Sequence, residues 1–109
     1  MNTHTSIALR TLEPGDRIDI RTSSGSLYRF VVASLEMAGE LAVVVGSLID
    51  PDARRRRASL ISVRPTSLAV GERAYFVAEP VCDSSTGHDA ILTSPIRSLA
   101  LVRPEQAAA

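Results

Sequence analysis

Alternation with a period of two runs through most of this chain. In the stretch RIDIR, Ile18 and Ile20 share one side while Arg17, Asp19 and Arg21 share the other. In LYRFVV, Tyr28, Phe30 and Val32 oppose Leu27, Arg29 and Val31. A β-strand turns successive side chains to opposite faces, so this pattern specifies half-buried strands. LAVVVGS is apolar on both faces, as a central strand is. ASLISV, RAYFVA, AILTS and IRSLALV read as further strands, and SIALRTL reads as the first. Gly39 and the shortness of ASLEMAGE favour a loop or bulge there over a helical turn. No segment carries a long helical period.

Turn chemistry separates these runs. EPGD sets Pro14 and Gly15 at the two central positions of a type II turn. SSGS at 23–26 suits a tight hairpin, and DSSTGHD a longer one. Asp50-Pro51 ends the strand before it. Leu12 to Arg17 (LEPGDR) echoes Leu68 to Arg73 (LAVGER), each followed by a strand, a Ser/Thr-Gly turn and another strand. About seven or eight short antiparallel strands, in two related hairpin units, imply an all-β fold, a small β-barrel or compact sandwich. Residues 1–104 are expected to form one domain and 105–109 a frayed tail.

Composition narrows the function classes. The 109 residues carry 12 basic and 12 acidic side chains, so no global charge draws the chain to nucleic acid or membrane. Every basic residue is arginine, which holds planar anions in a fork. A single cysteine, Cys82, excludes an internal disulfide framework. The first ten residues hold no apolar core of secretory length, and the apolar run Leu41–Val45 is too short for a bilayer. The chain is expected to be soluble and cytoplasmic.

Arg54, Arg55, Arg56 and Arg57 form the candidate anion- or nucleic-acid-binding site. Read instead as a solvated connection, the same run is partly neutralised by Asp50 and Asp52 and has no aromatic beside it in sequence. RRRRAS also has the form of a basophilic kinase site at Ser59. His88-Asp89 has the elements of acid–base chemistry, but no second His or Cys stands at metal-ligand spacing. The hydroxyls of Thr22, Ser23, Ser24 and Ser26, and of Thr93 and Ser94, suit turn capping. With Arg97 they would also make a polar pocket.

Two resemblances follow from short motifs. GDRIDIRTSSGSLYRFVV is similar to a strand pair of the sortases, cysteine transpeptidases that would assign roles to His4, Cys82 and Arg97. AEPV precedes Cys82 where a sortase has Thr-Leu-x-Thr, and the chain is short for the sortase barrel. GSLYRFVV, VGERAYF and TSPIRSL resemble a loose group of short, uncharacterised bacterial all-β proteins with Ser-x-Tyr and Thr-Ser-Pro strands. That group implies no activity and transfers no functional residue. The sequence therefore reads as a non-enzymatic binding or assembly module with no catalytic residue, metal or cofactor. Its contact surface is expected at 50–58, then at the hairpin tip 23–26. Homo-oligomerisation is consistent with the fold class, and a nucleic-acid-binding barrel is the alternative.

Overall fold

The computed structural model describes residues 2–38, 41–62, 67–79 and 89–104. Ten strands occur in them: β1 (Asn2–His4), β2 (Ser6–Ala8), β3 (Arg17–Thr22), β4 (Leu27–Ala38), β5 (Leu41–Ile49), β6 (Arg55–Ser62), β7 (Ser67–Ala69), β8 (Tyr75–Ala78), β9 (Asp89–Leu92) and β10 (Ile96–Val102). A 3-10 turn at Leu9–Thr11 follows β2, where the sequence pattern had continued the first strand. The expected tail at 105–109 lies outside the described residues, as do Cys82 and His88. No helix among the described residues is long and apolar enough to cross a membrane.

The fold is all-β, as the alternation requires. Eight strands form one antiparallel sheet in the order β1-β10-β3-β4-β5-β6-β8-β9, and β2 pairs with β7 in a second, small sheet. The large sheet curls on itself. Phe30 of β4 and Phe76 of β8 are three strand spacings apart in the ladder, roughly 14 Å in a flat sheet. Their ring centroids nevertheless lie 5.5 Å apart. Both rings are fully buried, among Ile18, Ile20, Leu48, Leu60 and Leu99. Burying such a side chain stabilises a fold by about 1.5–3 kcal/mol, so the inner face dictates the curve.

The two halves use the same device to hold that curve. Gly15 and Gly71 both sit at φ +94 in a four-residue turn. The turns close through Asp16 N–H to the Glu13 carbonyl (3.0 Å) and Glu72 N–H to the Ala69 carbonyl (3.1 Å). Each turn then grips a strand by two backbone bonds. Gly15 N–H donates to the Val32 carbonyl at 2.8 Å, and Val32 N–H donates to the Asp16 carbonyl at 2.8 Å. Gly71 N–H donates to the Ile96 carbonyl at 2.8 Å, and Ile96 N–H donates to the Glu72 carbonyl at 2.7 Å. Immediately after the gripped residue both strands bulge, between Val32 and Ser34 in β4 and between Ile96 and Ser98 in β10. A bulge bends a strand and increases its twist. The second grip also ties the approach to β8 onto β10, so the two flanks of the barrel-like sheet meet there.

The echo therefore extends further than the Leu-x-x-Gly-acid-Arg motif. Leu12 and Leu68 are both buried, and Ile18, Ile20 and Thr22 match Ala74, Phe76 and Ala78 in burial. Val32-Ala33-Ser34-Leu35 matches Ile96-Arg97-Ser98-Leu99 across the two bulges. The expected loop or bulge after Val32 is a bulge within a twelve-residue strand, which runs on to Ala38.

One difference separates the two turns. Asp16 is fully buried and accepts bonds from Glu13 N–H and from the Arg103 guanidinium. Gly15 lies against the ring of Pro104, whose Cγ would stand 2.8 Å from an added Cβ. Nothing approaches Gly71 within 4 Å. Gly71→Ala is expected to cost about 1 kcal/mol or somewhat more, from the positive φ alone. Gly15→Ala carries the same conformational cost plus the clash, for a further about 1–3 kcal/mol. Urea unfolding of the two variants checks this order, and equal midpoints would contradict it.

Candidate arginine face and the Asp50 turn

The arginine run is not a loop. Only Arg54 lies in the turn, while Arg55, Arg56 and Arg57 belong to β6 and pair with Ile49, Leu48 and Ser47 of β5. This corrects the expectation that the next strand starts at Ala58 and that all four arginines fill a connection. Strand alternation divides them instead. Arg56 lies on the inner side with Ala58 and Leu60, and its side chain is 9% exposed. Arg55 and Arg57 point outward and are exposed.

Asp50 organises the inner pair. Its side chain is 4% exposed and stands 3.0 Å from Arg54 Nε and 3.6 Å from Arg56 Nη2. The same carboxylate accepts the backbone N–H groups of Asp52 and Arg54, each at 3.0 Å. These bonds hold a turn in which Ala53 takes φ +63, a conformation costly for a residue with a Cβ. Burial pushes the Asp50 carboxyl upward. The Arg54 N–H and charge and the Asp52 N–H outweigh that, and the carboxyl sits below 3.8. Arg56 further donates to the Glu79 carbonyl at 3.5 Å.

Beside this turn, Tyr28, Ile91, Asp52, Arg54 and Arg56 line a cleft of about 250 Å³. Tyr28 stacks on Phe76 with centroids 6.3 Å apart. Burial, then Asp50 and Asp52, push its hydroxyl above the ordinary value of 10.0. An aromatic thus stands next to Arg54 and Arg56 although none is near them in sequence. On the other side of Pro51, Ser24, Ser26, Leu27, Ile49 and Ala53 line a second groove. The two expected contact segments, 50–58 and 23–26, are therefore adjacent.

The outward pair joins a larger surface. Register aligns Ala100, Asp19, Arg29, Ile49 and Arg55 in one outward row across β10, β3, β4, β5 and β6. The next row aligns Val102, Arg17, Val31, Ser47 and Arg57, and Arg21 pairs with Leu27 on the other side. Arg17, Arg21, Arg29, Arg55 and Arg57 thus share one face. Asp19 stands among them, 3.2 Å from Arg17 Nε and 3.6 Å from Arg29 Nε. Glu79, beside Arg57, borders the face at its β8 rim. Arg17, Asp19, Arg21, Arg29 and Ser98 surround a shallow depression. Sequence reasoning missed this face because its parts come from residues 17–29 and 55–57, and only the pairing register unites them.

The other candidates have structural surroundings. Ser59 is held in mid-strand, paired with Val45 on one side and Val77 on the other. A kinase needs an extended, detachable segment, which a doubly paired strand does not offer. His4 lies in β1, paired with Leu99. Arg97 is the exposed residue at the β10 bulge. Cys82, the third member of the sortase-like set, lies outside the described residues. Thr22 Oγ1 and Ser24 Oγ share a bond of 2.9 Å, and Thr93 Oγ1 accepts Ala74 N–H at 3.0 Å. Ser23 N–H donates to the Pro95 carbonyl at 2.8 Å, which brings these two hydroxyl groups of residues to one end of the sheet.

A carboxylate held below its ordinary value stabilises the fold above that value and loses the contribution as pH falls through the folded one. Asp50→Asn is therefore expected to cost about 1–3 kcal/mol at neutral pH. The gap to the natural chain should close as pH drops below 3.8, and urea melts at a series of pH values read it. A gap constant with pH would show that the charge of Asp50 contributes nothing. The chain was compared with models of known protein families, with curated proteins and with solved structures, and it matches none of them.

Proposed function

We propose that this chain is a non-enzymatic binding module of the cytoplasm and that it holds an anionic partner on the outer face of β3, β4 and β6. The observation that carries this reading is the common face of Arg17, Arg21, Arg29, Arg55 and Arg57. Five arginines against Asp19 and Glu79 give this face a local positive excess, although the chain as a whole balances its charges. Asp19 compensates Arg17 and Arg29, and Arg21 has no ion pair among the described residues. The planar guanidinium fork matches the geometry of oxyanions and loses less freedom per hydrogen bond than an ammonium does.

The alternative, a nucleic-acid site made of Arg54 to Arg57 alone, is weaker on the same geometry. Asp50 engages Arg54 and Arg56, which leaves half of that run to face a ligand. A sulfated polysaccharide resin tests the broader reading. The natural chain should be retained at low salt and released as salt rises. Arg17→Ala combined with Arg29→Ala should elute at distinctly lower salt. Asp19→Asn should elute at higher salt, because it removes the carboxylate that competes with an incoming anion. Flow-through of the natural chain at low salt would refute the proposal.

A further inference from the structure

The arginines of this face stand in two ridges. Arg17 and Arg21 belong to β3, and Arg55 and Arg57 belong to β6. Two strands separate the ridges, β4 and β5. Three strand spacings amount to roughly 14 Å along the sheet, and on the convex outer face the side chains splay further apart. Between the ridges run Leu27, Val31, Ser47 and Ile49, with Arg29 on β4 beside the β3 ridge. This is a pair of cationic rails, the β3 one with Asp19 between its two arginines, and the otherwise uncharged strip between them holds one further cation.

A single polyanionic chain needs one rail. Two rails held apart in this way fit a ligand whose two phosphate strands lie on either side of a groove, as in a nucleic-acid duplex. The face also lacks what a single-strand site requires. Successive bases of a single strand stack on aromatic side chains. None of the described outward residues in either row is aromatic, and Phe30 and Phe76 are buried on the other side of the sheet. Nor does the face offer the amide side chains that read adenine edges. Its polar groups are guanidiniums, the Asp19 carboxylate between Arg17 and Arg21, and the hydroxyls of Ser47 and Ser98.

We propose that the partner is duplex nucleic acid, held by its two phosphate strands against the β3 and β6 rails without reading of base sequence. This rests on the anion-binding reading above and narrows it. A convex sheet cannot enter a groove deeply, but long arginine side chains extend its reach to phosphates on either side. Because the contacts are to phosphate, binding should be insensitive to sequence and steeply dependent on salt.

The experiment is fluorescence anisotropy with labelled 20-mers at several salt concentrations, on a mixed-sequence duplex, a second duplex of different sequence and one unpaired strand. Both duplexes should bind alike and more tightly than the single strand. With five phosphate contacts the slope of log K against log salt is about −4.5 for duplex. Arg17→Ala with Arg21→Ala, and Arg55→Ala with Arg57→Ala, should each flatten that slope by about 2. Thermal melts establish that each double variant is folded, and the slope of the natural chain needs no variant at all. Equal binding of single strand and duplex, or a slope that only one pair alters, overturns the two-rail assignment. Retention on sulfated polysaccharide without duplex binding would sink this inference and leave the broader reading standing. Preferential binding of an acidic peptide would do the same and point to a protein partner. Loss of both activities would remove both readings.

Discussion

The inward curve of the sheet rests on two backbone clamps of one design, at Gly15-Asp16 on Val32 and at Gly71-Glu72 on Ile96. At each site a strand bulges, and a bulge interrupts the regular ladder. The turn residues supply the partners for the backbone of the residue beside the bulge. Removing such a partner from a buried group costs more than the bond itself contributes. The bend is thus fixed where two hydrogen bonds meet it. Phe30 and Phe76 can then pack across the interior, and every outward residue of β3 to β6 is carried to one convex surface.

Much of the fold was legible in the sequence because one physical rule wrote it. Ile18 and Ile20 against Arg17, Asp19 and Arg21 could only be a strand with one wet face. Pro14-Gly15 could only be a turn of positive φ at its second central residue. What escaped had distinct causes. β4 reads as broken after Val32 because the bulge resets the parity of its side chains, so ASLEM no longer matches LYRFVV. β6 begins three residues before its first buried aliphatic, and charged residues carry no apolar pattern from which to place a strand start. Asp16 and Arg103 lie 87 positions apart, beyond the reach of any local signal.

The site was legible in part for the same reason. The arginine run advertised itself, but its neighbours Arg17, Arg21 and Arg29 looked like ordinary solvent-facing residues of an alternating strand. Their meaning appears only when register sets Arg29 and Arg55 opposite the two sides of Ile49, and Arg17 and Arg57 on either side of Val31 and Ser47 in the next row. Conversely, the run contains less surface charge than its spelling suggests. A buried carboxylate at Asp50 draws every second member toward itself.

That division makes the pairing register of β6 a determinant of surface charge. Arg55 and Arg57 face outward because they stand opposite Ile49 and Ser47, while Arg56 stands opposite Leu48 on the inner side. A slip of β6 by one residue against β5 would exchange the two sets, and it would turn Ala58 and Leu60 out of the core with them. The apolar residues that hold the register therefore also select which cations reach solvent.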